Sequence, residues 1–183
     1  MEYPVSKAIA FPPDFLPGTG DNFLSNEFYI DSSTAEEVWP FLEDPALWPT
    51  YYKKITKVEV KEQEGTKLHV GTKFSYKDGL LKLDLECECL EVQPPSGDKE
   101  GRVMWKSCHV VKGEKKYEAV RGWILENMGN GRTRIFTQEV QRGDVAKKLY
   151  KETYEMLTSY EKWVRNLAEK GTKNKNGLLN MII

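Results

Sequence analysis

The sequence predicts an α+β fold in which a curved antiparallel sheet of six to seven strands wraps around one long C-terminal helix. Between residues 22 and 141, successive short segments carry apolar residues at every second position, which is typical of half-buried strands. From Asp144 to about Lys170 the apolar residues instead recur at helical spacing. Two short helices are predicted after the first strand, where the step Trp-Pro occurs twice within eleven residues.

The chain is expected to form one domain with an extension at each end. Residues 1–21 are rich in proline and glycine and have no hydrophobic period, so we predict an extended leader. Residues 22–171 form the domain, which at this length can bury a substantial core. Residues 172–183 form a C-terminal tail, a polar spacer with an apolar end that either folds back on the domain or docks on a partner.

The first strand covers residues 22–31, and a helix is predicted to start after it. Thr34 with Glu37 three residues later fits a capping box. Asp44 before Pro45 is a second helix start. Because each helix can run only a turn or two between prolines, the pair is expected to turn a corner at the end of the sheet.

Strands follow in the middle of the chain. Alternation is clear over 56–60, 72–76, 81–89, 103–111, 116–127 and 132–141. Asp78-Gly79 lies between the second and third of these segments and is a strong hairpin signal. The helix that ends the domain is predicted to start at Asp144 and to end at Gly171, a residue type favoured as a C-cap.

A difference in width predicts space inside this fold. Seven strands at about 4.8 Å spacing make a sheet more than 30 Å across, whereas a helix with its side chains is about 10–12 Å wide. One helix therefore cannot fill the concave face of the sheet, and the short helices are expected to close one end.

Composition excludes several classes of protein. The net charge is −1, with basic and acidic residues interspersed, so no nucleic-acid partner is expected. No apolar run approaches the roughly 20 residues that span a bilayer, and no signal peptide is recognisable at the N-terminus. The three cysteines are predicted to stay reduced in a cytoplasmic protein.

No motif indicates a cofactor or a metal. The sequence lacks a phosphate-binding loop, a nucleophile elbow and a paired-histidine zinc motif. Cys87, Cys89 and His109 could form a metal site, but an apolar strand face explains the cysteines better. We therefore predict no metal and no cofactor.

Three segments carry a family resemblance: the stretch AEEVWPFLEDPALWPTYYKKITKVEV, the segment VGTKFSY, and WILENMGNGRTRIFTQE before the final helix. Together they resemble the START/Bet v 1-like superfamily, most closely the SRPBCC group that includes polyketide cyclase/dehydrase-like proteins. The resemblance covers roughly residues 22–170. It implies the helix-grip (Bet v 1-like) fold with an internal cavity and a small hydrophobic ligand or substrate.

Candidate catalytic residues lie on strand faces that are expected to point inward. Arg121 shares a face with Tyr117 and Trp123, and Glu139 lies on the next strand. Either Arg121 and Glu139 pair structurally, or a bulge turns Arg121 outward, or Arg121 anchors an anionic ligand group while Glu139 accepts a proton. His109 and Tyr117 are further candidates for acid–base catalysis.

The apolar wall of the cavity is predicted to come from strands and helices alike. The candidate ligand-binding residues are Trp39, Phe74, Tyr76, Leu85, Trp105, Trp123, Tyr150 and Tyr154. The leading hypothesis is a binder of an aromatic, polyketide-like or lipid-like molecule. The alternatives are a cofactor-independent cyclase, aromatase or dehydratase, and a co-chaperone-like protein-interaction module; the oligomeric state stays open.

Overall fold

The structure is a computed structural model that describes residues 7–31, 33–129, 131–149, 151 and 153–180, without side chains at 153 and 173–180. It contains one seven-stranded antiparallel sheet and four helices among these residues. The strands are β1 Asn22–Asp31, β2 Ile55–Lys61, β3 Lys73–Asp78, β4 Leu83–Gln93, β5 Gly101–Val111, β6 Glu114–Asn127 and β7 Arg132–Arg142. The helices are α1 Ala35–Leu42, α2 Trp48–Tyr51, α3 Asp144–Leu149 and α4 Thr153–Asn180, with 3-10 turns at Pro13–Phe15 and Pro45–Leu47.

The strand order is β1-β7-β6-β5-β4-β3-β2, so consecutive strands pair everywhere except where β1 crosses to β7. The predicted α+β fold, with two short helices after the first strand, is confirmed. The Asp78-Gly79 hairpin joins β3 to β4, where Asp78 pairs with Leu83 across a four-residue connection. A carboxylate oxygen of Asp78 accepts hydrogen bonds from the backbone N–H groups of Leu80 and Leu81, which fixes this turn.

The predicted caps lie at the start of α1 and at the start of the 3-10 turn that precedes α2. Thr34 and Glu37 form a complete capping box at α1, and the Asp44 carboxylate accepts from the backbone N–H of Ala46. The ring of Trp39 then lies against the backbone of Gly101 at the start of β5, where a side chain would be 2.8 Å from the indole. The corner is therefore closed by ring-to-backbone packing that requires glycine.

The C-terminal helix differs from the prediction at both ends. It is divided into α3 and α4 instead of running continuously from Asp144, and Gly171 lies inside α4 rather than capping it. A Cβ at Gly171 would stand 2.8 Å from Val38 Cγ2 and 3.2 Å from Val38 Cα. Gly171 is therefore needed for the close approach of α1 to α4, not for a left-handed terminus.

The C-terminal tail is only partly within the described residues. The backbone of α4 continues through residues 172–180 as helix, so the predicted polar spacer begins within the helix and not after it. Residues 181–183 lie outside the described residues, so the alternatives for the apolar end stay predictions. None of the helices in the described part of the chain combines the length and apolarity required to cross a membrane.

The leader packs on the outer face of the sheet. Phe11 and Phe15 form a second, smaller core with Val120 and Val140. Ile9 occupies the space above Gly122, where an added Cβ would lie 2.5 Å from its side chain. The concave face is thus left for the helices, and the convex face of β6 and β7 is covered by residues 9–15.

Replacing Gly171 by Ala tests the contact between α1 and α4. Alanine is better than glycine in a helix by about 1 kcal/mol, but forcing a methyl group against Val38 costs about 1–3 kcal/mol. We expect Gly171→Ala to lower the free energy of unfolding, measured by urea denaturation. The double variant Val38→Ala with Gly171→Ala should lose less stability than the sum of the losses of the two single variants. Additive losses, or a stabilised Gly171→Ala, would contradict the close contact.

Candidate functional site

The inner face of the sheet carries most of the predicted ligand-binding side chains. Phe74, Tyr76, Leu85, Trp105 and Trp123 all lie on it, each no more than 4% exposed. Alternation along β3 to β6 puts them on one face, as the period of two predicts. Their burial is observed, while their contact with a ligand stays a prediction.

Four indole rings occupy the centre of the space between sheet and helix, where the width argument predicted open volume. We call Trp48, Trp105, Trp123 and Trp163 the indole cluster; each is at most 1% exposed. Trp48 stacks on Trp105 with ring centroids 5.0 Å apart. Trp163 of α4 lies 5.5 Å from Trp48 and 5.2 Å from Trp123 in edge-on geometry. The sheet and the helix therefore meet through aromatic rings.

The N–H groups of this cluster are unequally satisfied. Trp48 Nε1 donates to the backbone carbonyl of Leu42 at 3.1 Å. The Nε1 atoms of Trp105, Trp123 and Trp163 are buried and have no hydrogen-bond partner among the described residues. Trp163 is the least isolated, because its N–H faces the Tyr51 hydroxyl. Buried donors without acceptors are uncommon in folded proteins and call for an explanation.

A buried ion pair lies beside the indole cluster. Arg121 Nε donates to Glu139 Oε2 at 2.7 Å, and both side chains are at most 5% exposed. The hydroxyl of Tyr117 donates to the other Glu139 oxygen at 3.2 Å. The guanidinium also stacks over the Tyr160 ring at 3.8 Å and lies 5.2 Å from the ring of Trp163. Arg121 therefore faces inward and pairs with Glu139, and no bulge turns it to solvent.

One guanidinium nitrogen stays unused. Arg121 Nη2 is buried and has no hydrogen-bond partner among the described residues. Burial alone lowers the pKa of Arg121, but the charge of Glu139 and the Tyr160 phenol more than offset it and raise that pKa. The group is therefore a permanent cation with one donor nitrogen free.

A second buried carboxyl, Asp78, belongs to the same environment. Burial raises its pKa to about 6, although the N–H groups of Leu80 and Leu81 lower it; Glu139 adds to the increase and Arg121 opposes it. Burial also raises the pKa of Tyr117 and Tyr160 well above the ordinary value. The phenols keep their protons, and Asp78 exchanges a proton near neutral pH.

Other predicted residues lie apart from this cluster. His109 is half-buried near the end of β5, and its Nδ1 pairs with the carbonyl of Asp84 at 2.9 Å. Tyr154 was expected in the cavity wall but is 79% exposed, because the helix restarts at residue 153 and presents that position to solvent. Tyr150 lies outside the described residues. Trp39 is buried at the closed end, where its Nε1 donates to Glu43.

Three interior residues were missing from the predicted site. Trp48 belongs to the second Trp-Pro step, which was interpreted as a helix interruption, and Trp163 lies in the predicted last helix but was not among the candidate residues. Asp78 was interpreted as a turn residue, yet extending the alternation of Phe74 and Tyr76 by one step places it on the inner face.

A groove of about 470 Å³ on the outer face of the sheet is a less suitable site. Its charged side chains already pair across the strands, as in Lys61–Glu86 at 2.6 Å and Lys106–Glu118 at 3.3 Å. The groove is open to water and these pairs satisfy each other. It offers no equivalent of the buried unpaired donors inside.

Comparison with known proteins places this geometry in a family. No protein-family model and no curated protein matches the chain. A crystal structure of hypothetical protein jhp0584 from Helicobacter pylori is 31% identical, covering 93% of this chain and 99% of that chain, with a TM-score of 0.84.

Two more distant structures share the fold. A norcoclaurine synthase point mutant from Thalictrum flavum, in complex with a transition-state analogue, is 13% identical with a TM-score of 0.57, covering 84% of this chain and 96% of that one. The di-domain ARO/CYC protein BexL from the BE-7585A biosynthetic pathway is 13% identical with a TM-score of 0.58, covering 81% of this chain and 46% of that one. The chain therefore belongs to the same family as the Helicobacter pylori protein, and its seven-stranded curved sheet with a long C-terminal helix is the helix-grip (Bet v 1-like) fold.

Proposed function

We propose that this protein binds a small hydrophobic molecule between the inner face of the sheet and α4, beside the indole cluster. The observation that carries the proposal is the set of buried donors without acceptors, on Trp105, Trp123 and Arg121. They lie among aromatic rings, and binding sites are typically apolar walls with a few placed polar groups.

The energetic argument favours an occupant. Leaving a buried donor unsatisfied costs about 1–3 kcal/mol, more for a charged group. Several such donors in one cluster are a substantial fraction of the 5–15 kcal/mol stability typical of a domain. A molecule that supplies acceptor atoms to these donors relieves this cost.

The distant relatives support the same class of function. One is a synthase bound to a transition-state analogue, and another is an ARO/CYC protein of a biosynthetic pathway. Because such different functions share one fold, the fold alone does not choose between a binder and an enzyme.

Acid–base catalysis in the same interior is the second candidate, favoured by Asp78. A carboxyl whose pKa lies near 6 is suited to proton transfer at neutral pH. Glu139 is less suited, since its two oxygens accept hydrogen bonds from Arg121, Tyr117 and Gln141. In this alternative Asp78 moves the proton and Arg121 with Glu139 keeps the substrate in place.

The proposal includes a cytoplasmic location and no cofactor. Cys87, Cys89 and Cys108 are free thiols in the structure, which agrees with a reducing compartment.

A thermal-shift screen tests ligand binding directly. A hydrophobic ligand at about one hundred times its Kd adds about 2.7 kcal/mol, which for a chain of this size raises the Tm by roughly 5–10 °C. We expect such shifts with bicyclic aromatic compounds and none with a sugar of similar mass at the same concentration. Native mass spectrometry should show one bound molecule. If no apolar compound of the panel raises the Tm, the binding proposal is wrong.

Tryptophan-to-phenylalanine variants test whether the donors are unsatisfied without ligand. Trp48→Phe removes the hydrogen bond to the Leu42 carbonyl and leaves that carbonyl without its indole donor. Trp105→Phe and Trp123→Phe remove N–H groups that have no acceptor among the described residues. We expect Trp48→Phe to lose about 1–2 kcal/mol more stability than the other two in urea unfolding. Equal losses would show that the other indoles are hydrogen-bonded in solution. Alanine at Arg121 is a poor test, because an unpaired buried Glu139 costs about 3–5 kcal/mol.

The titration of Asp78 is tested by the pH dependence of stability. Its folded pKa of about 6 exceeds the ordinary 3.8, so the folded state holds the proton more tightly. The free energy of unfolding of the wild type should therefore fall as the pH rises from about 4 to about 6. Asp78→Asn lacks this titration, so its free energy of unfolding should rise by on the order of 3 kcal/mol relative to that of the wild type across that window. Asp84→Asn, on the exposed side of β4, is the control, and its stability should depend on pH as that of the wild type does. If the stability of Asp78→Asn also follows the wild-type curve between pH 4 and 6, the pKa of Asp78 is not raised.

A further inference from the structure

We propose that one end of the sheet binds peripherally to membrane surfaces that carry anionic lipids. We call this surface the basic end; it is made of residues 53–54, 77–84, 110–116 and 143–151. The proposal does not depend on a ligand in the interior, because it rests on charged and apolar side chains at the surface.

Contacts between turns bring these four segments together. The backbone N–H of the glycine in the β3–β4 turn donates to the carbonyl of Lys54 at 2.7 Å. His109 Nδ1 lies 2.9 Å from the carbonyl oxygen of Asp84, so the end of β5 is next to the start of β4. Lys116 Nζ, near the start of β6, lies 3.8 Å from Asp144 Oδ2 at the start of α3. Segments that are far apart in the sequence therefore form one surface.

Lysine dominates this surface, although the chain as a whole is weakly acidic. The four segments contain ten lysines against four acidic residues, one of which is the buried Asp78, whereas the net charge of the chain is −1. The fold therefore separates charges that are interspersed in the sequence and leaves the rest of the molecule acidic. Seven of the lysines have no ion-pair partner among the described residues: Lys54, Lys77, Lys82, Lys112, Lys147, Lys148 and Lys151.

Exposed apolar side chains lie among these lysines. Val110 and Val111, at the tip of the β5–β6 hairpin, are 49% and 41% exposed. The register of the hairpin shifts after His109, and its two-residue turn, Lys112-Gly113, has positive φ at both positions. Turns of this kind match the twist of the paired strands. The hairpin itself therefore holds the two valines at its tip.

An anionic membrane complements both features of the basic end. Its headgroups attract lysine side chains, and the boundary with the acyl chains accepts apolar ones. The acidic remainder of the molecule is repelled by the same surface, so the basic end is turned toward the membrane. A nucleic-acid duplex would match the lysines, but it would leave the two valines against a phosphate backbone.

Co-sedimentation of the full chain with lipid vesicles tests the proposal. We expect binding to vesicles of phosphatidylcholine with about one third phosphatidylserine, and binding weaker by about tenfold or more to phosphatidylcholine alone. Because salt screens the attraction between exposed charges, binding should also weaken by about tenfold or more between about 0.1 M and about 0.5 M salt.

Paired lysine variants assign the binding to the basic end. Each lysine near an anionic surface strengthens binding about fivefold, so Lys147→Gln with Lys148→Gln should weaken it about 25-fold. Lys99→Gln with Lys162→Gln is the matched control, because it removes the same charge from exposed positions in the β4–β5 turn and in α4. The control pair should stay within about threefold of the wild type.

A valine variant separates a membrane from other polyanions. Val110→Thr with Val111→Thr keeps branched side chains but adds hydroxyl groups, and it should weaken vesicle binding severalfold at either salt concentration. All six substitutions are at exposed positions. If a variant still fails to fold, the lipid and salt dependence of the wild type decides.

Three results would overturn the proposal. The first is no binding to the anionic vesicles, and the second is equal weakening by the α3 pair and by the control pair. In the third, the threonine pair binds vesicles as the wild type does and a DNA duplex displaces the vesicles, so the basic end is a general polyanion site. None of these results bears on ligand binding in the interior, which the thermal-shift screen decides.

Discussion

The inner face of the sheet is far wider than the helix that must cover it. Seven strands at about 4.8 Å spacing exceed 30 Å, while α4 with its side chains is about 10–12 Å across. Large rings contributed by both layers occupy the centre of this interior: Trp163 from the helix, Trp48 from the corner segment, and Trp105 and Trp123 from the strands. The apolar interior, the corner helices and the buried donors all follow from this mismatch.

Rings solve the packing problem but leave a polar one. An indole buries a large apolar area together with one N–H that needs a partner. Trp48 finds a partner in the backbone of Leu42, because it sits beside the end of α1. Trp105 and Trp123 project from the middle of strands, whose carbonyls are used by the sheet. The donors are thus a consequence of covering a broad sheet with indoles.

The sequence predicted the strands and their faces, because a period of two leaves little freedom in a sheet with one buried face. Whether Arg121 points inward or is turned outward by a bulge was left open, because a bulge is not visible in the alternation. It failed where structure depends on approach between distant segments. Gly171 matched a C-cap by type, but its contact with Val38 is tertiary. The division between α3 and α4 follows no proline or glycine in the chain. Asp78 matched a turn signal, and the buried face it also occupies was overlooked.

The indole N–H signals in a ¹H–¹⁵N NMR spectrum report the central claim most directly. The chain has five tryptophans, and single Trp→Phe variants assign their side-chain resonances. On saturation with a bicyclic aromatic compound that raises the Tm in the thermal-shift screen, the account predicts that the Trp105 and Trp123 resonances move downfield as they gain an acceptor. Those of Trp39 and Trp48, which already donate to Glu43 and Leu42, should move least. Unchanged Trp105 and Trp123 resonances at saturation would contradict the account.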